Sequence, residues 1–227
     1  MRYLDLEQIL SRPRMQRYLL ACGGQTKKSM TLYRLNLKLS QELFTIISCF
    51  EVTLRNAINV HCLNTLGSDW LRNGASTGGI FDNSNCRQTK ININDAIRSL
   101  NANYTHNKLV AELGFGFWRF MFASHQYLAT GRTLLQIFPS KPTSSSATQY
   151  NQNYVFNQLA DINHLRNRIA HHEPICFIPG QAVKDTLYAR QHYNLILQLF
   201  QWMSINETSL LYGLDHVLQI CHDIDTL

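Results

Sequence analysis

The chain has little charge. Asp, Glu, Lys and Arg make up 16% of its 227 residues, against about 25% in an average globular protein. Beside a hydrophobic content of 45%, that composition excludes a disordered, collagen-like or coiled-coil chain. From Gln191 onward there is no Lys or Arg, and Glu207, Asp215, Asp223 and Asp225 are the acidic residues there. The sequence has no CxxC pair, no HExxH and no Cys/His quartet at zinc spacing, so no metal is expected. It has no GxxxxGK[ST] or GxGxxG loop to cradle a phosphate, so no cofactor is expected. No apolar signal region follows the N-terminus, and no apolar run reaches the ~18 residues of a membrane span. The most apolar stretch, Leu43–Leu54, is broken by Thr45, Ser48, Glu51 and Thr53. The expectation is a cytoplasmic protein with no membrane partner. Its cysteines (Cys22, Cys49, Cys62, Cys86, Cys176, Cys221) then read as reduced, small apolar core residues.

The charge that is present is one-sided. Lys plus Arg number 21 against 15 Asp plus Glu, a formal +6. The excess sits before residue 42, where Arg2, Arg12, Arg14, Arg17, Lys27, Lys28, Arg34 and Lys38 face only Asp5 and Glu7. Such an end suits a polyanion, and Arg12, Arg14, Arg17, Lys27 and Lys28 are candidate RNA contacts. The alternative is a solvated helix surface.

The patterning predicts an all-α fold. Ser11 can cap a helix running to Cys22, with Pro13 in its first turn. A long N-terminal helix is predicted over Thr26–Leu66, where Leu32, Leu35, Leu39, Leu43, Ile46, Phe50, Leu54 and Ala57 recur at helical spacing. Residues 67–90 and 139–148 read as loops, the first anchored by Trp70-Leu71. Further helices are expected over Asn94–Tyr104, Gln149–His172, Ala182–Met203 and Glu207–His222. An aromatic block at Leu109–Phe122 reads as core packing. Neither loop is long enough to divide the chain, so residues 1–227 are expected to form one domain, with 1–30 a basic helical extension.

Chemistry concentrates in Asn163-His-Leu-Arg-Asn-Arg-Ile-Ala-His-His-Glu-Pro174. Pro174 disfavours helix at Glu173, so the helix should end near His172. A helix C-terminus stabilises an imidazolium by about 0.3–1 kcal/mol. Arg166 falls about 20° from Val155 on the apolar stripe, where an unpaired charge is costly and a partner is expected. Arg166 and His171 lie about 140° apart on an ideal helix. They converge if the helix end unwinds or if two copies share a site. His can transfer a proton near neutral pH, Arg can hold a phosphate, and Asn167 can orient either. RNA carries its own nucleophile, the 2′-hydroxyl, so such a site needs no metal. The alternative is a helix end whose Arg and His merely cap carbonyls. Upstream, Glu51 and Arg55 are i,i+4 with Asn56 following. They read either as an ion pair setting helix register or as a polar cluster supporting the Arg166 site. Glu112 could pair with Arg55, Arg119 or Arg166, or stand exposed.

Leu165-Arg-Asn-Arg-Ile-Ala-His-His-Glu-Pro-Ile175 resembles the signature of the Abi-like, or abortive-infection, group of the HEPN superfamily. Phe50-Glu-Val-Thr-Leu-Arg-Asn-Ala-Ile58 followed by Gly67-Ser-Asp-Trp-Leu71 is similar to the family's first motif. Leu109-Val-Ala-Glu-Leu-Gly-Phe-Gly-Phe-Trp118 is similar to its central motif. The likeness covers roughly 33–211. One departure stands out: Leu35-Asn36 occupies the place where family members often carry Trp-Asn. The resemblance implies a HEPN-like helical bundle with extra helices, a homodimer, and an Arg-x4–6-His endoribonuclease site acting without metal in phage defence. It places Arg166 and His171 as the catalytic pair and Asn167 beside them, with His172 also at acceptable spacing. It implies RNA as substrate and an antitoxin or phage-derived trigger as a further partner. Some members of the superfamily bind without cutting.

Overall fold

A computed structural model describes residues 2–227. Among these the chain forms twelve α-helices and no multi-residue strand; a lone antiparallel bridge joins Phe177 and Lys184. The fold is all-α, as the patterning predicts. The helices are α1 (Tyr3–Leu10), α2 (Arg12–Ala21), α3 (Thr26–Leu66), α4 (Trp70–Ala75), α5 (Arg87–Leu100), α6 (His106–Glu112), α7 (Phe115–Phe120), α8 (Ser124–Ala129), α9 (Gln152–Ala170), α10 (Leu187–Trp202), α11 (Glu207–Leu210) and α12 (Val217–Thr226). The chain divides into two compact units. The first comprises Met1–Ser48, His164–Gln198 and Glu207–Leu227; the second comprises Cys49–Asn163 and Leu199–Asn206.

The long helix α3 forms for the reason its spacing suggests. Leu32, Leu39, Leu43, Ile46, Phe50 and Leu54 are fully buried, while Leu35 and Ala57 are half-buried. Burying each such aliphatic or aromatic side chain contributes about 1.5–3 kcal/mol. By length and composition α3 also qualifies as a membrane span, its best window having a mean hydropathy of 1.2. That stripe is nevertheless turned inward, as in a core helix.

In the first unit, Tyr18 of α2 packs edge-on against Tyr33 at 5.3 Å and Phe177 at 5.0 Å. In the second, Phe50 meets Phe200 at 5.3 Å, and the Trp118 indole donates to the Leu113 carbonyl at 2.7 Å. The aromatic block is largely core: Phe115, Phe117, Trp118 and Phe122 are buried, while Phe120 is exposed. Trp70 and Leu71 are fully buried, with the Trp70 indole donating to Asn59 at 2.9 Å.

Boundaries differ from the sequence reading where polar composition hides helix. Residues 67–90 are not all loop: they contain α4 and the start of α5, whose buried Thr89, Ile93 and Ala96 share one face. Ser11 has φ +78° and makes no side-chain cap; instead its carbonyl accepts from Met15 N at 3.2 Å. The segment 182–186 is not helical, because Lys184 bridges Phe177. The helix expected over Glu207–His222 is two, separated by a turn in which Gly213 takes φ +73°, a conformation glycine adopts without strain.

Candidate functional site

The end of α9 is the site. Val155, Leu159, Ile162, Leu165 and Ile169 are buried, and this stripe fixes the rotation of the helix. The helix stops at Ala170, two residues before the expected end. His172 donates to the Ile169 carbonyl at 2.9 Å and Glu173 to the Arg168 carbonyl at 2.8 Å. That is a Schellman ending, with His172 at φ +56° in the position glycine usually fills. A non-glycine residue in the left-handed region costs on the order of 1–3 kcal/mol. Pro174 follows and forbids continuation.

The turn beyond this helix is clamped from three directions. Arg168 donates to the Glu173 carboxylate at 3.1 Å and the Pro174 carbonyl at 2.8 Å, and stacks over Tyr188 at 4.5 Å. From α3, Asn36, only 2% exposed, accepts from Ile175 N at 2.9 Å. From α2, Arg14 donates to the His172 carbonyl. Arg17 donates to the carbonyls of Ile178 and Gln181 at 3.1 and 2.7 Å, and lies 4.6 Å over Phe177. Beneath the turn, burial pushes the Cys176 thiol up to about 12, and burial raises the Tyr18 phenol as well. Both stay neutral at ordinary pH.

Held on this frame, four side chains remain without partners among the described residues. The half-buried Arg166 guanidinium makes no ion pair or hydrogen bond, and neither does the half-buried Asn167 amide. The His171 and His172 imidazoles are exposed and likewise unbonded. The partner expected for Arg166 is not there. Arg166 sits at the edge of the stripe rather than within it, so water solvates its charge and no carboxylate is required.

The other candidates separate. Arg14 and Arg17 are engaged with backbone carbonyls, and Lys28 donates to the Leu227 carbonyl at 2.7 Å. Arg12 and Lys27 are exposed on the same unit. Glu51, Arg55 and Asn56 lie in the second unit. No ion pair joins Glu51 to Arg55, and the Arg55 Nε is buried without a partner. Glu112 is exposed and accepts from Ser99 at 3.1 Å, so it pairs with none of the expected arginines. Among the described residues no group of three or more His, Cys, Asp or Glu side chains is placed to hold a metal ion.

Sequence reasoning missed Asn36 and the clamping role of Arg14. A polar residue on a buried helix stripe was the available signal for Asn36, since a buried amide is hydrogen-bonded. Arg14 offered no comparable signal, because its partner lies 158 residues away.

The family model described as Abi-like protein matches residues 6–176, from within α1 into the clamped turn after α9. The chain belongs to the Abi-like family. Comparison with curated proteins and with solved structures returned no match.

Proposed function

We propose that this protein is a metal-independent endoribonuclease of HEPN type, acting as a toxin in phage defence. The observation that supports it most is the division of the two arginines at the end of α9. Arg168 is fully engaged in shaping the turn, while Arg166 stands ready for an external anion. In this reading Arg166 holds the scissile phosphate and stabilises the charge of the phosphorane. His171 takes the 2′-hydroxyl proton and a protonated imidazole returns one to the departing 5′-oxygen. The P–O2′ bond forms as P–O5′ breaks, leaving a 2′,3′-cyclic phosphate and a 5′-hydroxyl. Asn167 orients the phosphate, and His172 stands beside the site. As the family resemblance implies, the complete site in this reading is composed from two copies of the chain, Arg166 of one meeting His171 of the other. An antitoxin or phage-derived trigger would control it.

The test is cleavage of end-labelled RNA in EDTA by the wild type and by Arg166→Ala and His171→Ala. Wild-type cleavage lost in both variants is the expected result. Equal cleavage by all three, or none by any, overturns the reading. Mixing the two variants tests the shared site separately. Random pairing should restore about a quarter of the sites, because each mixed dimer keeps one intact pair.

A further inference from the structure

The second unit holds a cavity of about 530 Å³ between α5 and the stretch from α7 into α8. No Asp, Glu, Lys or Arg lines it, and the exposed His125 is its one titratable lining residue. Gln88 and Asn92 stand on its rim one helical turn apart, the Gln88 amide donating to Asn92 at 2.8 Å. Phe117 and the 48% exposed Phe120 are its aromatic walls. Phe120 is held in place by Phe156 at 5.5 Å and by Arg119 at 5.0 Å.

The floor carries the main argument. Thr89 and Gln126 are 5% and 7% exposed, and the Gln126 amide donates to the Thr89 hydroxyl at 2.9 Å. One bond does not satisfy both groups. It leaves the Thr89 hydroxyl hydrogen and the Gln126 Oε1. With the amide turned over, it leaves the Thr89 oxygen and the Gln126 amide hydrogens instead. In either orientation a donor and an acceptor with no further protein partner sit side by side at the base of an aromatic-walled cavity.

We propose that this cavity binds one unpaired base of single-stranded RNA, its hydrogen-bonding edge against Thr89 and Gln126 and its face against Phe120. The proposal rests on RNA being the substrate of the site above. A nucleobase is neutral, flat, apolar on its faces, and carries adjacent donors and acceptors on its edge. A phosphate or carboxylate would meet no lysine or arginine on the lining, since the neighbouring Arg119 is stacked on Phe120 and Phe156. An alkyl chain would leave the Thr89–Gln126 pair unanswered.

The experiment titrates the full chain by calorimetry with adenosine, guanosine, cytidine and uridine, then with short single-stranded oligoribonucleotides of each base. One nucleoside should be preferred, with an affinity indifferent to salt, and its oligonucleotide should bind more tightly. Phe120→Ala should weaken nucleoside binding about tenfold. Gly116→Leu fills the cavity, since a side chain there enters open space from an ordinary helical backbone. It should abolish nucleoside binding without lowering the melting temperature. No nucleoside binding by the wild type, or binding that survives Gly116→Leu, overturns the proposal. Tighter binding of a nucleoside triphosphate than of the oligonucleotide overturns its RNA part. The two readings fail separately. Nucleoside binding lost in Gly116→Leu while the wild type cleaves no RNA defeats the nuclease alone, and cleavage without any nucleoside binding defeats the base pocket alone.

Discussion

The basic N-terminal segment and the end of α9 divide their arginines differently between structure and solvent. The N-terminal segment carries the whole excess charge of the chain, yet Arg14 and Arg17 there are committed to backbone carbonyls of the turn after α9. The end of α9 lies in the part of the chain that sums to zero charge and still presents a cation with no partner. What matters for binding an anion is a free guanidinium on a rigid frame, not the local count of positive residues. The two regions are also linked: the N-terminal cations hold the carbonyls whose placement defines the site.

The comparison breaks first at Arg166. Arg166→Ala should lower RNA cleavage by about a hundred- to ten-thousand-fold, as should His171→Ala. Urea unfolding should be unchanged in both, because neither side chain is bonded. A matching loss of stability would mean that Arg166 is structural after all. Next, Arg168→Ala should cost about 1–3 kcal/mol of stability in the same unfolding experiment. The Pro174 hydrogen bond and the Tyr188 stacking account for most of it, since the partly exposed Glu173 pair adds little. Arg17→Ala should cost about 1–2 kcal/mol and leave RNA retention nearly unchanged. Arg12→Ala with Lys27→Ala should do the reverse, reducing the salt dependence of RNA retention at constant stability. Loss of retention in Arg17→Ala without loss of stability would reverse the roles assigned to them. Smallest is His172→Gly, which relieves the left-handed strain. It should stabilise by a few tenths to about 1 kcal/mol, with cleavage intact. Lost cleavage in this variant would make His172, rather than His171, the acting base.

Much of the fold was legible before the structure. The α3 stripe runs long enough that its helical period is unmistakable, and α9 shows the same signal in Val155, Leu159, Ile162 and Ile169. Of the shorter helices α2 was legible, α5 only in its second half and α4 not at all. α4 and the start of α5 flank a stretch rich in Gly, Ser and Asn, and packing of Trp70, Leu71 and Ile93 selects helix over loop on either side of it. The aromatic block was read correctly as core, but periodicity could not show that Phe120 alone turns outward beside a cavity.

The candidate site divides the same way. The amino-acid sequence by itself determined an all-α chain, the long helix, and an Arg-Asn-Arg-x-x-His-His cluster at a helix end before proline. Those are local properties, fixed by the helical period and by the backbone limits of proline. Only the tertiary structure decided which arginine is engaged and which is free. Arg168 finds partners within six residues, but Arg14 reaches His172 across 158 and Asn36 reaches Ile175 across 139. A partner that distant is chosen by how helices pack, and packing leaves no period in the sequence to read.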